Sequence, residues 1–354
     1  MKLKDIVGIN LKTINKKYDG QIQYLDTSSV TDNHFKGYRT YGNIQSAPSR
    51  ARRIANIGDT VISTVRPNQK HNGFIDTQPD NAIYSTGFTI VSPNTDRVNP
   101  YYLYLFLSSE KVTEFLQQIG ETSTSAYPSV KPSDIENLDI DLPSRDVQDK
   151  ISKEIYLLDS KIKLNNKIND NLSNIKTTIF NHMFDIKLKQ YLNGTIQDIA
   201  KVKTGKRPKN KYASKEMNNL YPIIGASRII GYTDTFLYNE SIITTGRVGT
   251  HGVIQRYREP VWVSDNSFII TSKHEDYLYE LLRNFINFDA LNTGSTQPLI
   301  TQSDLKNIDI YIPSKKEFSL FEFRTTALTD KQFEIKKQNQ ILQVLKSQLL
   351  SKYF

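Results

Sequence analysis

The side chains able to do chemistry are mostly cations, and they are bunched. Residues 36–70 hold Lys36, Arg39, Arg50, Arg52, Arg53, Arg66 and Lys70 against the single acid Asp59, with Tyr38 and Tyr41 among them. Residues 201–211, KVKTGKRPKNK, carry six cations and no acid, Lys206, Arg207 and Lys209 included. Arg228 and Arg247 follow further along. Residues 1–142 nevertheless balance at 15 basic and 15 acidic, so the positive charge sits in segments. A face that meets a nucleic-acid backbone looks like this, because phosphate contacts from Lys and Arg supply most of the affinity. Lysines and hydroxyls hold phosphate; arginine can also read guanine through two hydrogen bonds. A basic run can equally be a solvated loop, but one lies early in each half of this chain. Arg66 and Arg247 each follow an expected strand, and each either touches DNA or braces its own loop.

Catalytic constellations are missing. There is no phosphate-binding loop, no G-x-S-x-G elbow and no H-E-x-x-H pair, and the five histidines show no metal-ligand spacing. Cysteine is absent, which removes disulfides, thiolate metal sites and thiol nucleophiles. Asn99-Pro100-Tyr101-Tyr102 lacks the second proline of an amino-methyltransferase motif and reads as a turn opening a helix. Asp134 and Asp304 read as structural turn residues, with nothing nearby to pair as acid and base. No metal or cofactor is expected on this chain. The net charge of +9, from 46 Lys and Arg against 37 Asp and Glu, favours a polyanionic partner. The longest apolar run, Tyr101–Leu107, is far short of the ~20 residues that span a bilayer. No signal-peptide stretch opens the chain, so a soluble, cytoplasmic protein with no membrane contact is expected.

The elements that must position these residues come twice. Residues 125–144, SAYPSVKPSDIENLDIDLPS, match 295–314, STQPLITQSDLKNIDIYIPS, without a gap at an offset of 170, and Phe184 matches Phe354 at the same offset. Further upstream, with small gaps, Asp5-Ile6 corresponds to Asp198-Ile199 and the match pairs Arg66 with Arg247. Each copy opens with an α+β module: Val61–Val65, Gly87–Val91 and 242–245 read as strands, Pro100–Phe115 and Asp276–Phe288 as helices. Each closes with a stretch lacking Gly and Pro, between Pro143 and Gly194 and after Pro313, that reads as one long helix capped by Ser144 or Ser314. The boundaries expected are therefore 1–143, 144–193, 194–313 and 314–354.

Both helices carry a seven-residue apolar repeat, the mark of a helix–helix seam. The seam residues are Leu158, Ile162, Leu172, Ile175 and Ile179 in the first helix, and Leu328, Ile335, Leu342, Leu345 and Leu349 in the second. Asn165 lies on the seam, where it either sets register or is solvated. Module, helix, module, helix in one chain closes most simply with the helices antiparallel.

The strings GDTVISTVRPNQKHNGFI, IYSTGFTIV, NPYYLYLFLSS, STSAYPSVKPSDIENLDIDLP, LDSKIKLNNKINDNL, YPIIGASRIIGYTDTFLY and WVSDNSFII resemble the specificity (S) subunit of type I restriction–modification systems over essentially the whole chain. That resemblance implies two target recognition domains, each reading one half of a bipartite, gapped double-stranded DNA target. It implies an α+β, pseudo-twofold tandem repeat, with the two domains separated by an antiparallel coiled coil that sets the gap. It further implies docking of two modification (methyltransferase) subunits and association with restriction (endonuclease and translocase) subunits. S-adenosylmethionine, ATP and Mg would be needed by those partners, and the S subunit itself would not be an enzyme. The competing readings are a degenerate methyltransferase or nuclease, which would need a cofactor or metal constellation, and a coiled-coil interaction protein, which would show no salt-dependent DNA binding.

Overall fold

The computed structural model describes residues 1–122, 127–213, 220–291 and 299–354. Ser125 and most of the matching 295–300 string lie outside these residues. The chain divides into two compact units, residues 1–166 with 337–354, and residues 167–336. Each unit takes one α+β module and part of both long helices.

In the first unit a four-stranded antiparallel sheet runs in the order Val7–Ile9, Phe88–Pro93, Thr60–Ser63, Asn72–Phe74. A five-stranded sheet runs Lys12–Thr13, Ala51–Ile54, Ala82–Ser85, Ile22–Leu25, Arg39–Tyr41. The second unit repeats the plan. Its four-stranded sheet runs Ala200–Thr204, Ser267–Ser272, Ile242–Gly246, Gln255–Tyr257, and its three-stranded sheet runs Ile229–Thr233, Tyr221–Ile224, Trp262–Val263. One parallel pair recurs in otherwise antiparallel surroundings, Ala82–Ser85 beside Ile22–Leu25 and Trp262–Val263 beside Tyr221–Ile224. The expected strands are present in both copies.

The expected helix over 100–115 is two helices, α1 (Pro100–Ser108) and α2 (Glu110–Glu121). Ser109 breaks the run: its ψ of 153° is extended and its hydroxyl accepts from the Val112 amide, which starts a new helix. Asn99 caps α1, accepting from the Tyr101 and Tyr102 amides. The long helices are α3 (Arg145–Gln190) and, after α4 (Glu275–Asn284), α5 (Lys315–Tyr353). Ser314 caps α5 in a box with Glu317, whose carboxylate accepts from the Ser314 amide at 2.8 Å and hydroxyl at 2.7 Å. The Ser144 carbonyl accepts the first bond of α3, from the Gln148 amide. Asp5, Asp198, Asp134 and Asp304 all accept from the backbone amide three residues before them, so these recurring acids are turn caps.

Within each unit α3 and α5 run antiparallel. Asn165 faces Gln338 and Asn339 in the first unit, and Lys176 faces Thr329 in the second. Leu158, Ile162, Leu172, Ile179, Leu328, Leu342 and Leu349 are half-buried, and Ile335 is buried. Ile175 and Leu345 are not on the seam: they are exposed, at 48% and 43%. The residue after each, Lys176 and Lys346, takes the inward position instead, and these four residues are two matched pairs at the 170-residue offset. An apolar count favours isoleucine and leucine for the seam, but the structure gives that position to a lysine. Asn165 is buried, and its amide donates to both Gln338 and Asn339.

The cores explain the offset. Phe184 of α3 packs edge-on against Tyr277 of α4 with ring centroids 5.1 Å apart. Phe354, 170 residues later, sits 5.1 Å from Tyr102 of α1, the residue that corresponds to Tyr277. Phe180, Phe184 and Tyr277 surround Phe321 of α5, and all four are fully buried. Truncating Phe321 to alanine leaves a cavity this aromatic cluster cannot close, so chemical denaturation should show a loss of about 3–5 kcal/mol. A loss under ~1 kcal/mol would mean that the cluster repacks.

Candidate nucleic-acid interface

The basic residues of the first unit separate by environment. Arg39 lies on an edge strand opposite Tyr24 and is exposed, as is Arg50, the residue before Ala51–Ile54. Tyr41 stacks edge-on against Tyr24 there, and exposed Lys36 lies three residues before Arg39. Arg52 and Arg53 are half-buried on Ala51–Ile54. Arg52 donates to the Ala51 carbonyl, and the enclosed Nε of Arg53 accompanies a guanidinium whose proton affinity is lowered by burial. Lys70 is held by Glu110 at 2.5 Å.

Arg66 stands apart. Its backbone is left-handed at φ 52°, as is that of Lys70 at 49°, a conformation that non-glycine residues adopt at a cost. The 3-10 turn Pro67–Gln69 between them is capped by both. The Arg66 guanidinium lies 4.1 Å from the ring centre of Tyr127, which is itself well exposed. Sequence alignment pairs Arg66 with Arg247; the backbone does not. Val65 bridges Ser129 and Val248 bridges Leu299, while the carbonyls of Thr64 and Arg247 accept from the amides of Val130 and Ile300. Arg247 therefore corresponds to Thr64, and Arg66 to Gly249, whose φ is also positive at 75°. The fold asks for glycine at this turn, and the first copy supplies arginine. Arg247 turns inward: its Nη1 donates to the Asp265 carbonyl at 3.5 Å and its Nε is enclosed.

In the second unit Lys206, Arg207 and Lys209 are all exposed on the loop after Ala200–Thr204. That loop is pinned. The Lys206 amide donates to the Val263 carbonyl at 2.9 Å, and the Trp262 indole donates to the Lys206 carbonyl at 2.6 Å. Gly205 lets it approach, since a Cβ there would lie 2.2 Å from the Ser264 carbonyl oxygen. Arg207 reaches Asp265 loosely, at 3.4 Å. Exposed Arg228 is at the turn between Tyr221–Ile224 and Ile229–Thr233, where its carbonyl accepts from the Gly225 amide. Tyr212 bridges Tyr232 on the same hairpin.

Two groups of residues escape a sequence reading. One is Tyr127, whose stacking partner lies far off in sequence. The other is a set of buried ionic residues against the long helices. In the second unit Lys176, Arg256, Asp276 and Glu280 are enclosed between α3, α5, α4 and Gln255–Tyr257. Burial, and next the Arg256 charge, pull the Lys176 ammonium down to about 8. Burial pushes the Asp276 carboxyl up, but the Arg256 guanidinium and the Thr329 hydroxyl outweigh it and hold the group below its ordinary value. Among the described residues no cluster of His, Asp and Glu could hold a metal. No helix among them is long and apolar enough to cross a membrane.

An α+β module with exposed cationic loops, followed by a long helix, thus occurs twice in the chain. Residues 1–174 and 189–348 each match the family model described as "Type I restriction modification DNA specificity domain", and the chain belongs to that family. It is 29% identical over 177 residues to the type I restriction enzyme HindI specificity subunit of Haemophilus influenzae, a match covering 49% of this chain and 38% of that one. It is 24% identical over 310 residues to the MjaIX specificity subunit of Methanocaldococcus jannaschii, covering 75% and 70%. The fold is that of the type I restriction–modification S subunit from M. genitalium, with a TM-score of 0.56 at 12% identity over 100% of this chain and 95% of that one.

Proposed function

We propose that the chain is the non-catalytic DNA-specificity subunit of a type I restriction–modification complex, each module reading one half of a bipartite, gapped duplex target. The observation that carries this is the recurrence of one recognition module twice in a single chain. In each copy, cations sit on or beside well-anchored backbone: exposed Arg39 and Arg50 with half-buried Arg66 in the first, exposed Lys206, Arg207, Lys209 and Arg228 in the second. Arg53, Lys70 and Arg247 have internal partners or enclosed nitrogens, so the proposal leaves them as braces. Modification subunits dock, in this reading, on the outward side of the helices. There Leu157, Leu164, Ile341, Val344 and Leu345 of the first unit are exposed on positions turned away from Ile155 and Asp159. S-adenosylmethionine serves those partners, ATP and Mg serve the restriction subunits, and the complex works in the cytoplasm.

The test supplies the full chain with a type I modification subunit and S-adenosylmethionine, then maps methylated adenines in random-sequence DNA. A two-part motif with one fixed gap is expected, and the chain alone should transfer no methyl group, cut no DNA and hydrolyse no ATP. Methylation without a bipartite motif, or turnover by the isolated chain, would sink the proposal.

Arg66 offers a cleaner local test. Arg66→Gly suits the left-handed backbone and should leave the melting midpoint within a few degrees, while weakening DNA binding by about 1–3 kcal/mol if the guanidinium meets a base. Collapse of the midpoint with unchanged affinity would make Arg66 a brace.

A further inference from the structure

The buried ionic residues against the helices follow one plan in both units, with two chemical groups exchanged. In the second unit the Lys176 ammonium donates to the Thr329 hydroxyl at 3.0 Å, and that hydroxyl donates to Asp276 Oδ1 at 2.8 Å; Glu280, 3.7 Å from the ammonium, and Arg256, 2.6 Å from the same Asp276 oxygen, are additions found in this unit. Lys176 comes from α3, Thr329 from α5, and Asp276 is the second residue of α4 in the recognition module. In the first unit Lys346 from α5 meets Asp159 of α3 at 2.8 Å, and the Tyr101 hydroxyl donates to the same carboxylate. Tyr101 is the second residue of α1, the counterpart of α4. Lys346 matches Lys176 and Asp159 matches Thr329, each at the 170-residue offset. So one position holds a lysine in both units. The other two hold one acid and one hydroxyl, with the acid on the module in one unit and on the helix in the other. In both, the acid and the hydroxyl belong to the same repeat, and the lysine arrives from the helix of the other repeat. An ammonium taken almost wholly out of water is retained only with such partners.

We propose that Lys176 and Lys346 are positioning residues, each clamping a recognition module to the helix pair through one acid and one hydroxyl and so fixing the rotational setting in which that module meets its half-site. The clamp itself rests on geometry alone; its effect on DNA rests on the function proposed above. A lysine in this role carries the setting without touching DNA. Weakening the clamp should blur the spacing between half-sites and leave their sequences intact.

The test uses the full chain and a pool of random duplexes, reading the selected motifs and their gap lengths. Hydrogen exchange at residues 275–284 is measured in parallel. Lys176→Met should keep both half-site motifs, spread the gap over neighbouring lengths and speed exchange in α4 at least tenfold. Lys176→Arg should restore much of both readouts. The decisive variant moves the acid: Asp276→Thr with Thr329→Asp copies the arrangement of the first unit, and should recover a single gap and slow exchange where Asp276→Thr alone does not. A single gap and unchanged exchange in Lys176→Met would overturn the clamp, as would a double variant no better than Asp276→Thr. If the wild-type chain selects no bipartite motif, the DNA reading fails and with it the effect on spacing, while the exchange arm still decides the clamp.

Discussion

Replacing Lys206, Arg207 and Lys209 together by alanine should flatten the dependence of log affinity on log salt by up to ~2.7, roughly 0.9 for each phosphate left without its cation. Binding should weaken on all duplexes alike, because phosphate contacts carry no sequence information. The three side chains are exposed on a loop whose backbone is fixed by the Trp262 indole and the Val263 carbonyl, so their removal should not disturb folding. Among the described residues only Arg207 of the three has an ionic partner, Asp265 at 3.4 Å on the surface, worth little in water. Titrations of the variant and the parent at several salt concentrations measure the slope. An unchanged slope with unchanged affinity would place this loop in solvent, away from the DNA.

A second large effect should follow from lengthening the helices. α3 leaves the first unit after Asn166, and α5 re-enters it at Lys337. Four residues added at both points add about 6 Å of helix, at ~1.5 Å per residue. With ~3.4 Å of rise per base pair, the recognised gap should grow by one or two base pairs while both half-site sequences stay the same. The additions must be matched. The Asn165 bonds to Gln338 and Asn339 lie in the first unit and the Lys176 bond to Thr329 in the second, and lengthening both helices alike leaves each set as it is. Mapping methylated adenines with the matched variant checks this. Retention of the original gap, or a change in half-site sequence, would refute the helices as a ruler.

Much of the scaffold was legible because period and punctuation are local. Two stretches free of Gly and Pro became α3 and α5, and the strands around Val61, Ile90 and Ile243 lie where β-branched runs put them. The break at Ser109 was not legible, since its signal is one hydroxyl accepting from Val112 within an otherwise helical apolar run. The seam misread Ile175 and Leu345 for a reason of energetics. Hydrophobicity argues for burying them, and only the acids waiting at Asp276 and Asp159, far away in sequence, make Lys176 and Lys346 the better inward residues. The basic face was legible as composition and not as geometry. Equal charges proved unequal once Glu110 took Lys70 and the Asp265 carbonyl took Arg247. The Arg66 pairing failed because matching arginine to arginine slips the two strands by two residues, and the backbone bonds of Val130 and Ile300 show which positions are equivalent.

The division of the chain also bears on the order in which it becomes native. Residues 167–336 form a continuous stretch and can complete their core as soon as they leave the ribosome. The first unit cannot. Leu349, Leu350, Tyr353 and Phe354 pack on the cluster built by α1, so the segment made first waits for one made after the whole second unit. During synthesis the apolar face of α1 and the inward side of α3 stay uncovered for that interval, and this nascent form is the one that needs protection from aggregation.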